Sequence, residues 1–417
     1  MNHLNAGIRQ NRSICPPFTD RDRYIEVVKD PSEFRASIDS MAKQWPELFP
    51  PEITDGYLMK DIRLSKKLSI PVRRIEIEGT SYTIRPSFVM PYMAGFVDDV
   101  EKGLFLRKFD VPFWALAHIF GRDSMYWFRM EQTVGRNSIV GTTVKKPECL
   151  PKHVAADEKH SWILGNKVYV ATTSGSGCIL GASIAEDAGE KELTKAYGTF
   201  KKEAQCIRPQ YTPETVNTDG WKATQKAWKT IFPCIALICC FLHIFIKIRD
   251  RARKKHKEFF LQAAEKLWNC YRSQTKVSFS QRVRRLHEWA IEKSLPDVIK
   301  GPISKLHKNL ASFSIAYDFP GAHRTSNMID RLMQRMHRHL LSTQYFHGSL
   351  SAAELSIRGW VLINNFAPSN PWTIKQHDGL RSPAERLNKL RYHNNWLQNL
   401  LASASLQGVR GIPPNPL

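Results

Sequence analysis

Apolar and polar residues alternate through "RRIEIEGTSYTIRPSFVMPYM" (73–93) on both sides of Glu78-Gly79, the period of a β-hairpin. Residues 1–70 show little periodicity, with Pro16, Pro17, Pro50 and Pro51 marking loops. After the hairpin the period lengthens. In "DVPFWALAHIFGRDSMYWFRMEQTVGRNS", Asp110 is the expected N-cap, Pro112 sits in the first turn, and Phe113, Leu116, Ala117 and Phe120 form a stripe that Gly121 ends. Ser124 is expected to cap a second helix in which Tyr126, Trp127 and Met130 keep helical spacing. Two short helices joined through Gly-Arg-Asp have the dimensions of a helix-turn-helix. Arg122, Arg129 and Arg136, seven residues apart, share one face. They read either as a recognition helix for phosphates and guanine edges or as the solvated side of an ordinary helical hairpin.

From about residue 151 short apolar runs take over: "HVAADEKHSWIL", "KVYVATT" and "CILGASIA". An amphipathic helix "EKELTKAYGTFKKEAQCI" follows, then a strand ending in Asp219-Gly220, a helix, and the apolar strand "CIALICCF". The order β-β-β-α-β-α-β predicts an α/β fold, an RNase H-like mixed sheet flanked by helices. Residues 247–308 are helical in pattern, without strand alternation, and resemble an insertion ahead of the last helices, "SNMIDRLMQRMHRHLL" and "SAAELSIRGWVLINNFA". The chain so divides into a poorly defined region to residue 70 and a hairpin and helix-turn-helix region at 71–148. A mixed-sheet domain at 149–246 and 319–375 is split by an α-helical insertion at 247–318, and a basic, flexible tail fills 376–417, closing on "GIPPNPL".

Charge narrows the partners. Sixty-one Lys and Arg against 39 Asp and Glu leave +22, which favours a polyanion, nucleic acid before membrane. Seventeen Lys and Arg against six Asp and Glu fall within 247–308. That segment reads as a nucleic-acid surface bearing Arg282, Arg284 and Arg285, docked through Phe259, Leu267 and Trp268, or as a solvated bundle that props the fold. The eight cysteines show no CxxC pair, so a disulfide framework or four-cysteine zinc site is not expected. The amino terminus lacks the apolar core of a secretory signal. The uncharged run from Ile231 to Ile246 is shorter than the ~20 residues a membrane span needs, and Pro233 and His243 interrupt it, so a strand continuing into a helix is expected and no membrane partner.

Two acids stand where chemistry is cheap to build. Asp157 lies in the first strand of the mixed sheet and Asp219 ends the fourth; in an RNase H-like sheet those strands are neighbours, so the carboxylates converge. A third, Asp330, follows "RTSN", in which Thr325, Ser326 or Asn327 can cap a helix. Asp318, in a loop before Phe319-Pro320, and Glu354, a capping or surface acid after Ser351, are the weaker choices. Carboxylates are hard oxygen ligands for Mg²⁺. "GSGCILG" (Gly175, Gly177, Gly181) precedes a strand and so reads as a hairpin turn instead of a dinucleotide fingerprint, no phosphate-loop motif occurs, and Cys149 with His153 reads as a loop pair.

"TDGWKATQKAWKTIFP", the pair Cys240-x-x-His243 in "CCFLH", a basic insertion and "RTSNMIDRLMQRMHRHL" together resemble DDE transposases of bacterial insertion sequences, with the Mutator-like superfamily nearest, over about 150–370. The resemblance implies Mg²⁺-dependent (Mn²⁺ may substitute) cleavage and strand transfer at terminal inverted repeats by Asp157, Asp219 and Asp330, with aspartate where the family carries glutamate at the last position. It implies double-stranded DNA, both inverted repeats and target, as partner, a homo-oligomer on DNA, and a cytoplasmic, nucleoid-associated site of action. Cys240 and His243 either support the active site or are a buried cysteine and a core histidine. A domesticated DNA-binding protein without catalysis and an RNase H-like nuclease without strand transfer are the rival expectations.

Overall fold

A computed structural model describes residues 12–325 and 327–409. Near the amino end, β1 (Ser13–Ile14), β2 (Leu58–Leu64), β3 (Pro71–Ile77) and β4 (Thr80–Ile84) form a sheet in the order β1-β4-β3-β2, with β1 parallel to β4 and the rest antiparallel. The expected hairpin is there. Ile77 pairs with Thr80 across Glu78 (φ 45) and Gly79 (φ 71), two left-handed residues as in a type I′ turn, whose twist matches that of the strands. The residues before it are better ordered than their pattern foretells. Asp20 caps helix Arg21–Val27, and Asp30, followed by Pro31, caps helix Pro31–Gln44. Tyr24, Phe34 and Ile38 from these helices are buried against Ile75 and Ile84.

The predicted helix pair forms over Phe113–Phe120 and Ser124–Gly135, with its caps one or two residues from where they were expected. Pro112 occupies the first N-cap; Asp110 has φ 64 and faces His339 Nδ1 at 3.4 Å. Asp123, not Ser124, caps the second helix by accepting from Tyr126 N. Gly121, at φ 72, ends the first helix as expected. The second helix packs closely against helix Leu350–Phe366. A Cβ on Gly135 would lie 1.9 Å from the Leu355 carbonyl oxygen, and one on Gly359 would lie 2.4 Å from that of Glu131. Beside this crossing, Arg107 and Glu131 form a wholly buried ion pair at 2.7 Å.

The second sheet contains β5 (His153–Ile163), β6 (Asn166–Gly175), β7 (Cys178–Ala185), β8 (Thr215–Thr218) and β9 (Ala236–Cys239) in the order β7-β6-β5-β8-β9. The first three are antiparallel, and β5, β8 and β9 run parallel. "GSGCILG" supplies the β6–β7 turn, with Ser176 and Gly177 at positive φ. Side chains alternate across the sheet. Val154, Ala156 and Ala171 pack beneath helices Glu190–Gln205 and Lys222–Ile231 through Tyr197, Phe200 and Trp228. Ala155, Val168 and Val170 face helices Asn327–Ser342 and Leu350–Phe366 through Ile329, Met333 and Met336. The protein is thus a mixed α/β chain with two mixed sheets flanked by helices.

The insertion is helical with a core of its own. Helices Phe241–Ala252, Lys257–Tyr271, Lys276–Glu292 and Asp297–Lys308 bury Ile248, Leu267, Val283, Leu286, Ile299 and Ile303 together. Its first helix follows β9 almost at once, so the apolar run from Ile231 to Ile246 is a strand leading into a helix. Among the described residues no helix is long and apolar enough to cross a membrane. Of the expected docking residues only Leu267 is fully buried; Phe260 takes the inward place instead of the exposed Phe259, and Trp268 rests half-buried on Phe245.

The expected flexible tail is a correction. Helices Pro371–Gln376, Pro383–Asn388 and Trp396–Ser403 carry the chain back into the core, where Trp396, Leu397, Leu400 and Leu401 join Trp127 and Leu362. The apolar spacing in "NNWLQNLLASASL" drives this burial even though the segment is basic and rich in asparagine. "GIPPNPL" itself lies outside the described residues.

Candidate active site

β5 and β8 bring the first two acids together. Their parallel register pairs His153 with Thr215, Val154 with Val216 and Ala155 with Asn217; continued two residues, it sets Asp219 alongside Asp157. Asp219 lies beyond the strand in a turn, where its Oδ1 accepts from Trp221 N at 2.7 Å. Gly220 completes the turn at φ 90, a conformation that suits glycine. Asp157 shares a sheet face with Ala155, the face covered by helix Asn327–Ser342, which carries Asp330 in its first turn. Of the expected caps for that helix, Ser326 lies outside the described residues.

Electrostatics report the convergence. Burial, then the charge of Asp219 and, more weakly, that of Asp330 push the Asp157 carboxyl up to about 7, while a hydrogen bond from Glu158 N opposes the rise. Across the pair of sheet-edge residues, His243 registers the same charges. Burial works against its protonation, yet a hydrogen bond with Cys240 and the charges of Cys240, Asp330 and Asp219 outweigh it and raise its pKa. Cys240 is buried at the N-cap of helix Phe241–Ala252. Asp157, Asp219, Asp330, Cys240 and His243 therefore belong to one neighbourhood, reached from two strands and two helices.

The approach to Asp330 is pinned. Arg324 donates to the Tyr271 and Ser273 carbonyls and to Tyr317 Oη at 2.7–3.0 Å, its guanidinium lying over both tyrosine rings, and its carbonyl accepts from Phe241 N. Asn217 Nδ2 donates to the His323 carbonyl at 2.7 Å. The weaker choices for the third acid are engaged elsewhere: Asp318 pairs with Lys276, and Glu354 Oε1 accepts from Ile184 N on β7.

Glu158 escaped the sequence reading. It points to the opposite sheet face from Asp157, where Tyr197 Oη and Thr224 Oγ1 each donate to its Oε1 at 2.6 Å. Burial raises its carboxyl to about 7, with Asp157 and Asp219 adding to the rise and the two hydroxyls opposing it. Consecutive acids directly after the apolar run Val154–Ala156 were the available signal.

Among the described residues, no group of three or more His, Cys, Asp or Glu side chains stands close enough to hold one metal ion. The donor set nevertheless suits a hard divalent cation. Burial, with the charges of Asp219 and Asp330 added to it, holds the proton on Asp157, and a cation beside these carboxylates would offset both effects.

The predicted basic residues lie on other elements. Arg122, Arg129 and Arg136 are exposed; Arg122 sits outside the second helix, over the Tyr126 ring, and Arg136, at its C-cap, lies over Tyr92. In the insertion, Arg282 and Arg285 line a cavity of about 440 Å³ with Lys266 and Asn269, and Arg284 turns toward Glu288 at 3.6 Å. Of Cys149 and His153, read as a loop pair, Cys149 lies in the turn Pro147–Cys149 and His153 opens β5, where it bonds Thr215 Oγ1 and the Pro320 carbonyl. The sequence matches no protein-family model and no curated protein.

Proposed function

We propose that the second sheet and its helices form an RNase H-like domain and that the chain is a DNA-cutting enzyme of the DDE transposase type. The observation that carries this reading is the electrostatic coupling of Asp157 to Asp219 and Asp330 across two parallel strands and a helix. The strand order β7-β6-β5-β8-β9, antiparallel then parallel, supports the fold assignment. The exposed arginines and the +22 charge support a DNA partner. The reading includes a homo-oligomer assembled on inverted repeats and target DNA, acting in the cytoplasm at the nucleoid.

Asp157, Asp219 and Asp330 would hold Mg²⁺, or Mn²⁺ in its place. When bound, such ions activate a water or a DNA 3′-hydroxyl and stabilise the departing oxygen in an in-line displacement. Asp157, whose carboxyl is held up at about 7 by burial and Asp219, would be the ligand whose ionisation a bound cation favours most. The Asp219 turn holds its carboxylate in place through Trp221 N. Glu158, held by Tyr197 and Thr224 on the far sheet face, stays out of the reaction. Cys240 and His243 would play a supporting part, since the charges of Asp330 and Asp219 favour the protonated form of His243.

A cleavage assay on DNA carrying element ends, run with Mg²⁺, tests the reading. Asp157→Asn, Asp219→Asn and Asp330→Asn should each abolish cutting and leave DNA affinity within about twofold of the parent, since arginines and lysines supply that affinity. Full cutting by Asp330→Asn would remove it from the site. One observation favours the rival, a DNA-binding protein that has lost cleavage: no three ligating side chains among the described residues meet at one point. Normal DNA binding with no cutting in any divalent cation would decide for that rival. Cutting without joining, given pre-cut ends and a target plasmid, would mark a nuclease without strand transfer.

A further inference from the structure

Helix Asn327–Ser342 carries Asp330 toward the strands and, on an adjoining face, Arg331, Arg335 and Arg338. These three recur at helical spacing and extend about 10 Å along the axis at ~1.5 Å per residue. They line a cleft of about 1000 Å³ whose other walls bring Lys108, Arg386 and a single acid, Asp110. Asp110 is turned toward His339. Among the described residues none of the five cations lies within ion-pair distance of a carboxylate: Lys108 Nζ donates to the Ala367 and Pro368 carbonyls at 2.7 and 2.6 Å, and Arg386 Nη1 donates to Ser369 Oγ. Four guanidinium groups and the Lys108 amine thus face one cleft with no carboxylate paired to them among the described residues, and the cleft carries a concentrated positive potential.

We infer that this cleft binds a polyphosphate anion, either consecutive phosphodiesters of a nucleic-acid strand or a free polyphosphate. Guanidinium forks match phosphate oxygens two at a time, and three forks along a helix face suit several phosphates in a row. Lys108 adds a point charge at the inner end, fixed in direction by its two carbonyls. Burial, then Arg335 and Arg386, hold its amine down at about 7; an anion in the cleft offsets those charges and restores the proton. The inference stands apart from cleavage, because neither occupancy nor its readout needs a metal ion.

An amine close to neutral at pH 7.5 acylates readily, so Lys108 reports on the cleft. The full chain would be treated with an acylating reagent alone, with inorganic tripolyphosphate, and with single-stranded DNA, and modification of Lys108 read by peptide mass spectrometry. Tripolyphosphate should protect Lys108 several-fold in the parent. The double variant Arg335→Gln/Arg338→Gln should lose that protection while its circular dichroism stays native, and Arg335→Lys/Arg338→Lys should recover part of it. Protection by DNA as well identifies a nucleic-acid strand as the source; protection by tripolyphosphate alone identifies a free polyphosphate. If neither anion protects Lys108 in the parent, or the glutamine variant is protected as fully as the parent, the inference fails.

Discussion

A carboxyl group held protonated to about pH 7 makes folding depend on pH in an uncommon direction. Asp157 and Glu158 both titrate near 7 in the folded chain, against ordinary values of 3.8 and 4.5. Between about pH 4 and 7 the folded chain keeps protons that the unfolded chain has released, so stability falls as pH rises through that window. Asp157→Asn should flatten this fall, melting with the parent at pH 4 and above it at pH 8, by roughly 2–4 °C for each kcal/mol recovered in a chain of several hundred residues. Mg²⁺ at pH 8 should raise the melting temperature of the parent more than that of the variant. A variant that melts below the parent at pH 8 would contradict the assignment of the proton to Asp157. The positions of Asp157 inside the first strand of the second sheet, Asp219 just beyond the fourth and Asp330 at a helix start were legible, because strand runs and helix starts can be read from the local pattern. Glu158 was not, because its partners Tyr197 and Thr224 come from helices whose docking no local pattern reveals.

Helices that cross at glycine have no slack. At the contact of Ser124–Gly135 with Leu350–Phe366, Gly135→Ala should drive a methyl into the Leu355 carbonyl and cost about 1–3 kcal/mol or more, read as a lowered denaturant midpoint. In the same place Glu131→Gln leaves Arg107 buried with a neutral partner and should destabilise by about 3–5 kcal/mol. This packing ties the helix pair into the main core, so the proposed contact with DNA has to be probed at its exposed side. Arg129→Ala should weaken binding to DNA ends without moving the melting temperature; unchanged affinity would reduce the pair to a helical hairpin with a solvated face. Reversing Arg282, Arg284 and Arg285 to Glu should likewise lower DNA affinity and leave folding intact, since all three are exposed. At this scale the periodic elements were readable, from the Glu78-Gly79 hairpin to the insertion helices. Caps were less so: the first helix starts after Pro112 where Asp110 was expected to cap it, and Asp123 takes the cap expected of Ser124.

In the molecule as a whole, the last described residues close the first core. Ser405 Oγ accepts from Cys15 N and donates to the Leu48 carbonyl, Tyr392 Oη donates to Glu47, and Ser87 Oγ donates to Gln398 Oε1. Ala402 and Leu406 are buried among Ile14, Phe49 and Ile84, while Trp396 and Leu400 belong to the neighbouring core. None of this was legible locally, since each half of these contacts looks unremarkable until the other arrives. The arrangement has a consequence for synthesis. At roughly 5–20 residues per second, the closing segment leaves the ribosome about 15–80 s after the residues it must cover. Until then the side of that core that Ala402 and Leu406 cover stays uncovered. The first core is therefore completed only after residues 392–406 have been made, although most of its residues lie more than three hundred positions earlier.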